Sequence, residues 1–311
     1  MARRRKGRDI HGIILLDKPP GYSSNQAVQK VRWLFAARKA GHTGSLDPFA
    51  TGMLPICLGE ASKTAGFMLD ASKHYLATAR LGQATATGDT EGDVVRQMPV
   101  PDLSSKAINA AFQPFRGAIE QVPPMYSALK HQGQPLYKLA RAGKEVERKS
   151  RTVIIHGLEL IAWDRPLLVF RVHCSKGTYV RTLSEDIAEK LGTCAHLQAL
   201  RRLDVEPFRE ADMISLDELE RTAEAGQQDS LLLPLDAGLE SWPMVQLSGE
   251  EQVRFTHGNP APIQETYRGN VRVYARGGEI LGLGEVRDGH RVYPKRLFVL
   301  QEHSRKSNLV K

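Results

Sequence analysis

The segment Gly41-His42-Thr43-Gly44-Ser45-Leu46-Asp47-Pro48-Phe49-Ala50-Thr51-Gly52 sets one carboxylate among three glycines and a proline. Pro48 restricts the residue before it to extended backbone angles, so Asp47 projects from a loop of defined geometry. A carboxylate presented this way serves as a nucleophile or a general base. It also fits an ordinary Asp-Pro turn. His42 reads as a local hydrogen-bonding group or an acid–base group, and no second histidine lies at metal-ligand spacing beside it. Other chemistries lack their signatures: there is no phosphate-binding Gly-x4-Gly-Lys loop, no Gly-x-Gly-x-x-Gly, no His-Glu-x-x-His and no Gly-x-Ser-x-Gly. Asp89-Thr90-Glu91-Gly92-Asp93 imitates a calcium loop only at its start, because Val100 stands where a bidentate glutamate is required. It reads as an acidic surface loop.

The elements that must position Asp47 are legible on both sides of it. Gly12–Leu16 reads as a buried strand that Asp17-Lys18-Pro19-Pro20-Gly21 ends, since two prolines remove backbone donors. Ser23 with Gln26 makes a capping box, and Val28, Val31, Leu34 and Phe35 follow at helical spacing. Residues 75–81 alternate at period two, with Tyr75, Ala77, Ala79 and Leu81 on one face. Ser104–Phe115 is expected to be helical, and residues 123–151 form an excursion too long for a simple connection. A strand over Leu167–Cys174 leads through Ser175-Lys176-Gly177 into a helix carrying Val180, Leu183, Ile187, Ala188 and Leu191 on one face. Thr178 is its candidate cap and Gly192 its stop. Ser215–Gln227 is expected to be a helix. From about Val245 the runs Val271–Tyr274, Ile280–Leu283, Arg291–Tyr293 and Leu297–Leu300, parted by Gly277-Gly278 and Asp288-Gly289, predict a small all-β appendix.

The chain of 311 residues carries a net charge of +8, and the excess is concentrated. Arg3, Arg4, Arg5, Lys6 and Arg8 stand in an arm without acids, and Lys130, Lys138, Arg141, Lys144, Arg148, Lys149 and Arg151 face only Glu145 and Glu147. Two basic patches on a near-neutral body suggest a polyanionic partner or merely solvated faces. Cys57, Cys174 and Cys194 are too few and too widely spaced for a disulfide framework, and read as reduced core thiols. No apolar run approaches the ~20 residues of a membrane span, and no secretory leader is visible. The protein is expected to be cytoplasmic.

Four motifs in order resemble the bacterial TruB family of tRNA pseudouridine synthases: Gly41–Gly52; Leu15, Asp17, Lys18, Pro19 and Gly21; Pro123-Pro124-Met125-Tyr126-Ser127-Ala128-Leu129-Lys130; and Cys174–Arg181 with Ala195-His196-Leu197 through Leu200-Arg201-Arg202. Ser45, and Ile187-Ala188, depart from the usual pattern without replacing a functional side chain. The resemblance implies isomerisation of uridine 55 in the T-arm of tRNA: the base leaves the ribose at N1, rotates and rejoins through C5. It implies Asp47 as nucleophile, attacking base or sugar, and Lys18 and Arg181 as cations that keep it ionised and placed. Tyr75 would stack on the flipped base and is a candidate for removing the C5 proton. Tyr179 and Leu200 would be further pocket walls, His42 would fill the gap left in the RNA, and Lys63 would contact phosphate. The 123–151 insertion, with Lys130 onward, would grip the T-arm.

The expected architecture is α+β, with a mixed, mainly antiparallel sheet flanked by helices and a small C-terminal β-barrel-like (PUA-like) unit. The expected division is a basic arm over 1–9, a catalytic domain over 10–243 and an RNA-binding unit over 244–311. No cofactor, metal or membrane is expected, and the protein is read as a monomer acting on tRNA. Two other readings share its features: a noncatalytic RNA-binding or tRNA-folding protein, which would not need Asp47, and a glycosidic hydrolase, which usually needs a second framed carboxylate.

Overall fold

A computed structural model describes residues 7–300. Most of the basic arm, Arg3 to Lys6, lies outside them. Arg8 lies inside, and its guanidinium is paired with Asp229 instead of facing solvent alone.

The apolar run near the start forms β1 (Gly12–Lys18), and its two faces feed two cores. Ile14 and Leu16 enter the larger core, while Ile13 and Leu15 enter a second one with Met53, Cys57, Val205 and Phe208. That double burial explains why the segment reads as continuously apolar. Helix α1 (Ser24–Leu34) begins with the capping box, Gln26 N donating to Ser23 Oγ and Ser23 N to Gln26 Oε1. Strands β2 (Ala40–His42) and β3 (Thr51–Leu58) then bracket the Asp47 loop, and the short α2 (Ala65–Met68) leads to β4 (Lys73–Leu81). Burial along β4 alternates residue by residue, as its period predicts.

A small hairpin, β5 (Gln83–Thr85) and β6 (Val94–Gln97), precedes α3 (Ser105–Phe112) and β7 (Gly117–Gln121). Within the 123–151 insertion, β8 (Lys130–His131) and β9 (Gln134–Pro135) form a hairpin running into α4 (Leu136–Arg141). Strands β10 (Arg151–Asp164) and β11 (Leu167–Cys174) follow, then α5 (Val180–Lys190) and β12 (Ala195–Val205). Thr178 does not cap α5. Tyr179 holds the N-cap position, and the Thr178 hydroxyl donates to Ser175 O. Strand β13 (Ile214–Ser215) and α6 (Leu216–Glu224) close this part of the chain.

The main sheet runs β13-β1-β3-β12-β4-β11-β10-β7, with β2 also on β3. Only the β1–β13 and β3–β12 pairs are parallel. The β3–β12 junction is a seam: β12 holds Thr51 and Gly52 through Arg201 and Arg202, and farther along β3 that edge pairs with β2. The Asp47 loop crosses this opening.

The C-terminal sheet orders β14 (Met244–Leu247), β16 (Gly269–Ala275), β17 (Ile280–Val286), β18 (Arg291–Leu297) and β15 (Ala261–Pro262). Two expectations change here. Helix α7 (Gly249–Thr256) buries Phe255, so the appendix is not all β, and Arg291–Leu297 is one strand with no separate strand over Leu297–Leu300. Leu283 and Phe298 join the second core, which ties this sheet to β1 and β3. The three cysteines are free and buried, and among the described residues no helix is long and apolar enough to cross a membrane.

Gly52 sits at the seam with φ +98°, and a Cβ there would lie 2.1 Å from the carbonyl oxygen of Arg202. Gly52→Ala is therefore expected to cost at least about 2 kcal/mol in denaturant unfolding, through strain and a forced separation of β3 from β12. A loss under about 0.5 kcal/mol, the scatter of neutral surface changes, would show the seam to be loose.

Candidate active site

The loop after β2 is held at almost every residue. Gly44 N donates to His42 Nδ1 (3.2 Å), Leu46 N donates to Ser24 Oγ (2.7 Å), and Ser24 Oγ donates to Leu46 O (2.9 Å). Ala50 N donates to Asp47 O, and Pro48 O accepts from Gly21 N (2.9 Å) and Lys18 Nζ (3.2 Å). From below, Arg202 of β12 donates to the carbonyls of Met53 (2.6 Å), Gly44 (3.2 Å) and Ser45 (3.4 Å). Arg202 is almost fully buried. Its charge is satisfied by carbonyls, so it stiffens the loop without competing for the carboxylate.

Asp47 itself is gripped by Arg181 from the first turn of α5. Nε lies 2.9 Å from Asp47 Oδ2, and Nη2 donates to Oδ1 at 3.3 Å. The same guanidinium donates to Thr87 O and Tyr126 O, both at 2.7 Å, and its Nη1 lies 3.5 Å from Asp89 Oδ2. Arg181 is 4% exposed while the Asp47 side chain keeps 37%, so the cation is buried behind a reachable anion. Burial pushes the Asp47 carboxyl above the ordinary range, Arg181 pulls it back, and Asp89 pushes it up.

Two cavities meet at this ion pair. One of about 340 Å³ is lined by Asp47, Lys73, Tyr75, Tyr179, Leu200 and Arg202 among others. The other, about 700 Å³, includes His42, Asp47, Asp89, Tyr126, Tyr137 and Arg141 in its wall. Asp47, Ser127 and Arg181 border both. The insertion thus roofs the site through Tyr126 to Ala128 and through α4. Arg151, one of the basic patch, instead lies over the Tyr179 ring at 4.9 Å and donates to Gly177 O.

The sequence candidates divide accordingly. Asp47, Arg181, Tyr75, Tyr179 and Leu200 come together on the smaller cavity, and His42 faces the larger. Lys18 is completely buried beneath the loop, its ammonium donating to Pro19 O (2.9 Å), Tyr22 O (2.7 Å) and Pro48 O; among the described residues no carboxylate oxygen lies within 4 Å of it. Burial pushes it down to about 8, opposed by the nearby Asp47 charge. It places the loop through its backbone. Burial also pushes the Tyr75 phenol up. Lys63 does not reach this site: its ammonium is bound to Glu60 and to Leu297 O (2.7 Å), a strut between β18 and the body. Lys130 is exposed beside a separate depression of about 450 Å³ with Leu129, His131, Arg148 and Lys149.

Sequence reasoning missed Asp89, which is 2% exposed and not part of an open acidic surface. Thr87 Oγ1 and Glu91 N donate to its Oδ1, fixing it against Arg181. It also missed Arg202. The signal was present, because Arg202 lies two residues after Leu200 on one strand and so shares its face.

Glu185, one turn farther along α5, is pushed up to about 7 by burial first and by Asp186 next, with Arg181 opposing. Its folded value exceeds the ordinary 4.5, so the folded state holds an extra proton between about 4.5 and 7 and loses stability as pH rises through that window. Glu185→Gln is expected to be more stable than the parent by about 1 kcal/mol at pH 8, with the gap closing near pH 4. A gap independent of pH, measured by urea titration at both values, would contradict the assignment.

Comparison with known proteins matches three family models in tandem: TruB family pseudouridylate synthase (N terminal domain) over residues 32–180, tRNA pseudouridylate synthase B C-terminal domain over 181–240, and pseudouridine synthase II TruB, C-terminal, over 243–298. The chain is 51% identical over 298 residues to tRNA pseudouridine synthase B of Pseudomonas aeruginosa, covering 94% of this chain and 98% of that one. It is 50% identical over 302 residues to the protein of that name from Nitrosococcus oceani, covering 96% and 98%. Among solved structures, a Cbf5-Nop10-Gar1 complex aligns with a TM-score of 0.72 and 27% identity over 93% of this chain and 85% of that chain.

Proposed function

The chain belongs to the TruB family of pseudouridylate synthases, makes pseudouridine in tRNA, and on that premise we propose that it acts on uridine 55 of the T-arm with Asp47 as the nucleophile. The carrying observation is the position of Asp47: a reachable carboxylate on the common wall of two cavities, locked by a buried bidentate arginine. Such preorganisation places the attacking oxygen before substrate arrives.

The reaction is an isomerisation. The N1–C1′ bond breaks, a C5–C1′ bond forms, the C5 proton leaves and N1 gains a proton, so nothing is oxidised or reduced. In this reading the uridine turns out of its stack into the smaller cavity, between Tyr75, Tyr179 and Leu200, at an unstacking cost of a few kcal/mol. Contacts elsewhere on the RNA offset that cost. The larger cavity takes the neighbouring nucleotides, with His42 at the loop edge and Tyr137 and Arg141 of the insertion on the far wall. Lys130, Lys138, Lys144 and Lys149 lie along the insertion for phosphate contact. The division into a basic arm, a catalytic body to about residue 243 and an RNA-binding unit beyond it is part of the same proposal.

Tritium release from a T-arm transcript labelled at uridine C5 tests it. Wild-type protein releases label in the presence of EDTA, and the product maps to the one T-loop uridine. Asp47→Asn binds the RNA within a few-fold and releases none. Turnover by that variant would remove Asp47 from its role, and salt-sensitive binding without release by wild type would favour a noncatalytic RNA-binding protein.

A further inference from the structure

On the sheet face turned away from the cavities, β4, β11 and β10 bring three imidazoles together. The rings of His74 and His173 stack with centroids 3.9 Å apart and 15° between planes, and His156 lies 4.7 Å from His173. The end of β12 adds two carboxylates. Asp204 Oδ1 is 2.8 Å from His74 Nδ1 and 3.1 Å from His74 N, while Glu206 Oε1 is 3.4 Å from His173 Nε2. Glu206 is anchored at its backbone, N donating to Ser72 O (3.1 Å).

Three features suit a bound cation better than a chance cluster. His74 Nδ1 lies 2.8 Å from Asp204 Oδ1, and when Nδ1–H donates to that carboxylate a neutral His74 presents its Nε2 lone pair, the arrangement by which carboxylates orient metal-bound imidazoles. His173 Nε2 is shielded from solvent yet makes no aligned hydrogen bond, although Glu206 faces it. One donor atom each from His74, His173 and Glu206 lies within 4.8 Å of the others. We propose that His74, His173 and Glu206 form a site for one divalent transition ion of the Zn²⁺ class, oriented by Asp204 and completed by water. Two imidazoles with one carboxylate are a zinc donor set, and the fourth position stays open. Ligand atoms around tetrahedral zinc stand ~3.3 Å apart at bond lengths of about 2 Å. Closing from 4.8 Å needs one ring to swing out of the stack, which side chains 26% and 28% exposed allow.

The ion would take no part in the isomerisation, because His74 stands on the face of β4 opposite Tyr75 and so away from Asp47. It would clamp β12 to β4 and β11 just behind the active site, where Asp204 pairs with His74 and Arg202 pairs with Tyr75 in register. No metal motif is visible in the sequence because His74, His173 and Glu206 lie far apart in the chain.

The test uses untagged full-length protein, stripped with chelator and then titrated with Zn²⁺ by calorimetry and with Co²⁺ by visible absorption. One ion per chain, tetrahedral Co²⁺ bands and an unfolding midpoint that climbs with Zn²⁺ are expected. His173→Ala and Glu206→Gln should each weaken binding at least about 10-fold and Asp204→Asn by about 10- to 100-fold. Unchanged affinity in His173→Ala, or no stoichiometric binding, would overturn the proposal and leave a metal-free histidine stack. Uridine isomerisation by chelator-treated His173→Ala should stay at the wild-type level, so the outcome here is independent of the Asp47 assignment.

Discussion

Everything at the active site depends on one buried guanidinium. Taking Arg181 out of water is costly, and only a complete set of partners offsets that cost. The set is drawn from separate parts of the chain: Asp47 from the loop after β2, Thr87 O and Asp89 from the turn after β5, and Tyr126 O from the insertion. The cation therefore does two things at once. It opposes the burial that raises the Asp47 carboxyl, and it fastens the roof of the cavity to the wall that carries Asp47. Removing either carboxylate would leave the other parts of the network misaligned, since the guanidinium is planar and its donors are fixed in direction.

The sheet supplies the second constraint. Among the described residues its two halves pair only where β12 touches the first residues of β3, and the Asp47 loop spans the opening beside that contact. A carboxylate on a free loop would wander. Here Arg202, Ser24, Lys18 and Gly21 bind successive backbone groups of the loop, so its conformation is set by the strands and helix beneath it. Lys18 and Arg202 carry charge yet spend it on carbonyl oxygens. Both place the carboxylate through the loop backbone, and Lys18 also acts on it through its charge.

Much of this is legible in the sequence wherever local physics decides. The Ser23–Gln26 pair forms its capping box, β4 alternates as its period requires, and β11 keeps the bounds Leu167–Cys174. The turns at Gly277-Gly278 and Asp288-Gly289 fall between β16, β17 and β18. What depends on distant partners is not legible. Asp89 sits in a stretch whose composition is that of a solvated loop, and only the arrival of Arg181 buries it. Lys63 has the type of a phosphate ligand, but Glu60 and the end of β18 claim it. Helix α7 is short and weakly patterned, and packing of Phe255 against the C-terminal sheet holds it. The motifs locate Asp47, Arg181 and Leu200, and resemblance adds Tyr75, whereas Asp89 and Ser24, which restrain the site, belong to no motif at all.

We propose that Arg181 acts by holding Asp47 in place and by opposing the burial that raises its carboxyl. Single-turnover conversion of saturating T-arm RNA by Arg181→Lys tests it most directly, because the charge survives while the fork that binds two oxygens and two carbonyls is lost. The expected rate is lower by at least about 100-fold, with RNA affinity changed by no more than a few-fold. A rate within a few-fold of wild type would show that a point charge suffices and that the geometry described around Asp47 is not what the reaction uses.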